Sequence, residues 1–438
     1  MSWTRAPGSD LFPGLSARHP REAGSFSRRV FLERSATAAL GISAVGPLLA
    51  ACGGANNGAG TGGSAAAAAD LQLARQDNPV KWPIYEDNPP IASGLEPEGG
   101  PLKVYNWNGY LWPRIMKQFG KEFGVDVELT TFSTGDEAIQ KLATGAVDFD
   151  VFFPFPDRLG RLIVGKLLQP LNHDYLPNLA TSIWPSLQDP FYDRGSQYTV
   201  PYTIYTTGIG YRTDQVDTTP DQLSNPYDIY WDERNKGKTY LLDDSREATI
   251  HMLLKNGIDD INTENPEEID VAKQDLIALT DAVNVKVSTD DYTNLPEGKA
   301  WVHEAWSGSL ISAPYYLPKG VGPEVLGFWF PEDGKGTIGN DMMGVLKSAK
   351  NPVLAHHFVN YLLDKKHGYD NFVNFVGYQP PFVSIDPDSL VSDEIVPENL
   401  KTAVVRESDF DTGYFLAELS PQGQMIWQNA WAEFKAGV

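Results

Sequence analysis

The stretch Leu241-Leu242-Asp243-Asp244-Ser245-Arg246-Glu247 sets three carboxylates where an apolar run meets a helix-like segment. Two chemistries are open to it. Asp244 can cap the helix by accepting from first-turn N–H groups while Glu247, three residues on, reaches back to the cap. The same acids can instead be offered to a ligand, because α/β domains hold ligands at strand-to-helix junctions. A helix N-terminus attracts anions, so acids placed there turn an anion-prone end into a cation-selective one. Local sequence alone favours the cap, and the rest of the chain has to shift that reading.

The elements that must position these acids follow from periodicity. Leu102 to Trp107 alternates like a strand, and Pro113 opens a helix in which Ile115, Phe119 and Phe123 share one face before Gly124 ends it. A second strand is expected over Val125 to Phe132, a helix over Gly135 to Thr144, and a third strand over Phe149 to Phe153. This β-α-β-α-β series predicts a mainly parallel sheet with helices on both faces. Tyr198 to Tyr211 is long for a strand and could cross between two lobes; Thr337 to Leu346 reads as another crossing. Short strands are expected at Thr239 to Leu242 and Ala300 to Trp306. Asn265-Pro266 starts a helix, and another closes the chain between Ser420 and Ala436.

Composition narrows the function classes. The 438 residues are 42% hydrophobic and 21% charged, with a formal net charge of −22, which argues against a nucleic-acid binder and suits cationic partners. Cys52 is the only cysteine, so a disulfide within the chain and a thiolate metal cluster are excluded. The seven histidines show no metal-ligand spacing, and no metal or cofactor is expected.

The N-terminus reads as an address. Arg28-Arg29 precede an apolar stretch from about Ala36 to Ala51, and Leu49-Ala50-Ala51-Cys52 resembles a lipobox. The mature chain would begin at a lipid-modified Cys52, held at the outer face of the cytoplasmic membrane or in the periplasm. Without residues 1–51, 29 basic residues face 54 acidic ones, a net charge of −25. Residues 52–100 form a Gly/Ala-rich flexible tether and a proline-rich lead-in.

Five segments, in order, resemble the spermidine/putrescine-binding proteins of bacterial ABC importers. They are Tyr105-Asn106-Trp107-Asn108-Gly109-Tyr110, the run Tyr198-Thr199-Val200-Pro201-Tyr202 with Gly208-Ile209-Gly210, and Asp243-Asp244-Ser245-Arg246-Glu247. Ala305-Trp306-Ser307-Gly308-Ser309 and Gly377-Tyr378-Gln379-Pro380 complete the set. The resemblance implies a two-lobed α/β periplasmic-binding-protein fold, type II-like, with a ligand cleft between lobes joined by crossing strands. Residues 101–205 with 339–385 would form one lobe and 206–338 with 386–438 the other. It implies a monomeric, non-enzymatic protein that captures a polyamine and delivers it to a permease. Asp244 and Glu247 would bind amine groups, Asp341 would be a third acid on a crossing strand, and Trp107, Tyr110, Trp306 and Tyr378 would form aromatic walls, with Asn108 a polar contact.

The resemblance also has departures. Phe153-Pro154-Phe155-Pro156-Asp157 stands where small polar residues and tyrosine are usual, and Gly339 where the family can carry tryptophan, so the aromatic box is incomplete or rebuilt from elsewhere. Glu418 lies near the region of the family's C-terminal polar contact. Two alternatives stay open: the same fold holding another small organic cation, and a secreted glycoside hydrolase using paired carboxylates.

Overall fold

The computed structural model describes residues 71–145 and 147–437; the twin arginines, Cys52 and the alanine-rich tether lie outside them. Residues 71–100 contain no helix or strand, in keeping with their prolines, yet they are docked. Arg75 donates to the Glu418 carbonyl at 2.9 Å, the Trp82 indole to the Tyr192 carbonyl at 2.8 Å, and Glu98 accepts from the Leu354 N–H at 2.8 Å. Among the described residues, no helix is long and apolar enough to cross a membrane.

Strand β1 (Leu102–Trp107) pairs in parallel with β2 (Val127–Phe132) and β3 (Val151–Phe152). The helix Pro113–Phe123 buries Ile115 and Phe119 and stops at Gly124, whose φ of 69° is the left-handed conformation glycine adopts without strain. The helix Gly135–Ala143 is capped by Thr134, which accepts from the Glu137 N–H. After β4 (Leu168–Gln169) comes β5 (Val200–Arg212), thirteen residues long and buried at all but one position. β6 (Thr239–Leu241), the helices Ser245–Lys255 and Pro266–Val283, and β7 (Lys286–Val287) follow. Then come β8 (Val302–Trp306), β9 (Leu326–Trp329), β10 (Thr337–Leu346), β11 (Tyr414–Phe415) and the terminal helix Pro421–Lys435.

The sheet runs β2-β1-β3-β10-β5-β8-β6-β7, with β4 and β11 on β10 and β9 on β5. It is mixed, which corrects the expectation of a mainly parallel sheet. The local β-α-β units are parallel, but β10 is antiparallel to β3, β4 and β5, and β5 is antiparallel to β8 and β9. The reason is directional: β5 carries the chain from one half of the sheet to the other, and β10 carries it back. Two apolar cores share β5. Val200, Tyr202 and Ile204 belong to the core around Val104, Phe119 and Phe358, while Ile209 belongs to the core around Leu241, Leu276 and Trp427.

Pro201 shapes the middle of this crossing. It has no N–H for the ladder, and the β5–β10 register shifts between Asp341 and Met342, opposite Thr203 and Pro201. Such a bulge re-aims the neighbouring side chain. The Met342 N–H donates instead to the Pro154 carbonyl at 3.1 Å, which brings the turn Phe153–Arg158 up to the crossing.

Candidate ligand-binding cleft

β6 ends at Leu241 and the helix Ser245–Lys255 begins with Asp244 as its cap, the side-chain Oδ1 accepting from the Arg246 and Glu247 N–H groups at 2.8 and 3.2 Å. Half of the capping box is therefore present. Glu247 supplies no second half: its Oε1 accepts from the Trp306 indole N–H at 3.0 Å, and its Oε2 is buried with only the Thr207 hydroxyl near it. An orphaned carboxylate oxygen in the interior is costly unless something arrives to pair it. Arg246 turns away from both acids, donating to the Ala417 carbonyl at 3.1 Å and lying 4.4 Å over the Trp427 ring. It fixes the helix to the C-terminal segment.

Asp341 reaches the same space from β10. Its Oδ2 accepts from the Tyr110 hydroxyl at 2.6 Å, and that hydroxyl also lies 2.7 Å from the Thr203 Oγ1. Tyr378 stands edge-on to Tyr110 with ring centroids 5.0 Å apart, and its hydroxyl is 3.0 Å from the Ser309 Oγ. Ser309 donates in turn to the buried Asp291, which also accepts from the Trp306 N–H at 3.1 Å. Gly308 makes room for this arrangement, since a Cβ there would sit 2.3 Å from the Tyr378 ring. Gly308→Ala is expected to displace the ring and lower the melting temperature by about 2–8 °C, as moderate overpacking does; an unchanged thermal melt would show that the ring moves freely.

All eight residues expected from the sequence (Trp107, Asn108, Tyr110, Asp244, Glu247, Trp306, Asp341 and Tyr378) line one cavity of about 450 Å³. Among its described lining residues seven are acidic and one, Arg158, is basic. Burial dominates the electrostatics. It raises the Asp244 carboxyl, with the Asp157 charge adding to it. Burial and then the Asp244 charge push Glu247 up to about 8. Asp341 is raised to about 7 by burial, opposed by its bond from Tyr110 and reinforced by Asp157. Each shift marks a buried carboxylate without an ion-pair partner among the described residues.

The lining also contains residues absent from the sequence-based expectation. Tyr205 on β5 faces the cavity, and a Cβ on Gly339 would lie 2.7 Å from its hydroxyl. The ring thus fills the space that glycine leaves. Phe155 packs 5.7 Å from Trp107 and over Gly135, where a Cβ would lie 2.6 Å from its ring. Gln428 and Trp431 reach in from the terminal helix. Glu418 does not line this cavity; it lines a separate small one, where its carboxylate accepts from the Gly160 N–H and pairs with Arg161 at 3.1 Å. The signal missed in each case was three-dimensional: the glycines at 135 and 339 mark the space, and only the fold shows which ring enters it.

Residues 114–398 match the model of the bacterial extracellular solute-binding protein family. A putrescine/agmatine-binding protein of Pseudomonas aeruginosa is 30% identical over 287 residues, covering 63% of this chain and 77% of that protein. The spermidine/putrescine-binding periplasmic protein of Escherichia coli is 27% identical over 339 residues, covering 77% and 92%. Among solved structures, the spermidine/putrescine transporter substrate-binding protein of Streptococcus pneumoniae superposes with a TM-score of 0.61 at 22% identity, covering 77% of this chain and 98% of that one. A lipoprotein of Treponema pallidum gives 0.62 at 21% identity, covering 76% and 98%. With the matched residues spanning well over half of its length, the chain is a member of the bacterial extracellular solute-binding protein family.

Proposed function

We propose that this protein captures a polyamine of the putrescine/spermidine type in the cleft and delivers it to an ABC permease, without catalysing a reaction. The observation that carries this reading is the pairing of Asp341 on the crossing strand with Asp244 and Glu247 at the β6 junction, all in one aromatic-walled cavity. A polyamine is a chain of methylenes bearing ammonium groups, and each buried ammonium needs an acid. At about 4 Å and an effective dielectric of roughly 20, one such pair attracts by about 4 kcal/mol before desolvation is subtracted. A tryptophan or tyrosine face adds about 0.5–2 kcal/mol. Trp107, Tyr110, Trp306 and Tyr378 supply such faces, and Asn108 a polar contact, in this reading.

The relatives named for putrescine, agmatine and spermidine support the same ligand class. Closure would turn about β5 and β10, a hinge motion of known type. Export through the twin-arginine route and a lipid anchor at Cys52 complete the proposal, with the protein a monomer beside its permease. Another small organic cation is the second reading, favoured by the replacement of the expected aromatic at Gly339 with Tyr205.

The test is calorimetry with 1,4-diaminobutane, spermidine and spermine; no heat from any at millimolar concentration sinks the reading. Asp244→Asn adds a sharper result. The amide oxygen still caps the helix, so the melting temperature is expected to stay within about 2 °C while affinity falls about a hundredfold. Equal damage to both would leave Asp244 a purely structural cap.

A further inference from the structure

We propose that Arg158 is a resident countercharge that restricts the cleft to amines bearing two positive charges, by neutralising Asp157. The proposal rests on the amine reading above and names the class of amine. Arg158 lines the cavity from the short turn Pro156–Arg158, with its side chain only 10% exposed. Its Nη1 donates to the Asp157 Oδ2 at 2.5 Å and to the Asp157 carbonyl at 3.0 Å, and its Nη2 lies 3.8 Å from the Asp136 Oδ1. A guanidinium stays charged at any working pH and holds a carboxylate in fixed geometry.

Asp157 is electrically central. It lines the same cavity as Asp244, Glu247 and Asp341, and its charge raises all three carboxyls. A free carboxylate there would be a further anchor in the same cavity, open to an additional ammonium. Arg158 already fills that role from within the chain, and its charge also reaches Asp244. A ligand with ammonium groups only at its ends meets Asp341 and the Asp244–Glu247 pair. A ligand with a third, internal ammonium brings that charge up to the guanidinium and finds Asp157 taken, Asp136 within 3.8 Å of the same guanidinium and Asp243 paired with Lys435.

Besides Lys435, which is bound to the cavity-lining Asp243 at 2.8 Å, two other bases bear on the surroundings. Arg161 is bound to Glu418, and Arg246 to the Ala417 carbonyl and Asn262, and neither lines the cavity.

Calorimetry of the whole protein with 1,4-diaminobutane, spermidine and spermine decides the matter. The wild type is expected to bind the diamine at least about tenfold more tightly than either longer amine. Arg158→Gln should raise the ratio of triamine to diamine affinity by about tenfold or more, because Asp157 is released. Arg158→Lys should keep the wild-type order. The double variant Asp157→Asn/Arg158→Gln removes the pair together and strands no buried charge, and the gain in triamine affinity should vanish in it. A wild type that prefers the triamine overturns the proposal without any variant, as does a single variant whose selectivity equals that of the double. Failure of the wild type to bind any of the three amines removes the amine reading itself, and this proposal with it.

Discussion

Replacing Asp341 by asparagine is expected to raise the Kd for a diamine by about 10²–10³-fold while leaving the empty protein at least as stable as before. The two halves of this expectation have one cause. Asp341 is buried, and its carboxyl is held up to about 7 because burial disfavours the charge more than the Tyr110 hydroxyl favours it. Between the ordinary carboxylate value and 7 the folded state therefore binds more protons than the unfolded chain. Stability falls as pH rises through that window, and the loss is complete above it. Asparagine can still accept from Tyr110 but cannot ionise, so its melting temperature should decline less steeply than that of the wild type over this window, the remaining fall coming from other raised acids such as Glu247. With ligand the sign reverses: the ammonium needs the charge, and an amide leaves it buried and unpaired. Titration calorimetry and melts at pH 5, 7 and 9 separate the two effects. A loss of stability at every pH matching the loss of affinity would make Asp341 a framework residue.

The second large effect is on protons. At pH 7 the empty cleft holds Glu247 mostly protonated, since burial and the Asp244 charge put it at about 8, and Asp341 close to its midpoint at about 7. A bound ammonium favours the ionised form of both, so binding must expel protons. Calorimetry in buffers of different ionisation enthalpy should report release of roughly 1–1.5 protons at pH 7. Affinity should rise as pH increases from 6 to 8, where the acids no longer have to be deprotonated, and level off before the amines themselves lose charge near pH 10. Glu247→Gln should remove most of the release. A binding enthalpy that is the same in every buffer would mean that the acids are already charged in the empty protein.

Much of the fold was legible because its elements obey simple periods. β1 and β10 have the expected bounds, and Gly124, Asn265 and Ser420 end or cap their helices as their residue types predict. Strand direction was not legible. Nothing in Val200–Arg212 states that it returns against β10, and its near-complete burial erases the alternation that would show which tyrosines face the cavity. Tyr205 was hidden for that reason. Arg158 was hidden for another: the departure at Phe153 to Asp157 was visible in the sequence, but only the docking of Pro154 on Met342 shows that the next residue enters the cavity. Asp244 was ambiguous between cap and ligand group, and it is both a cap and a cavity wall.

Gly339 and Tyr205 are directly paired across the β5–β10 ladder. Their side chains occupy the same rung, so an aromatic ring supplied by either strand fills nearly the same volume. Compared position by position, glycine at 339 counts as a missing wall. Compared rung by rung, the wall is present, supplied by the Tyr205 ring from the facing strand. Where two long strands line a cavity together, the unit that descent can preserve is the filled rung, and its two positions are free to exchange which one fills it.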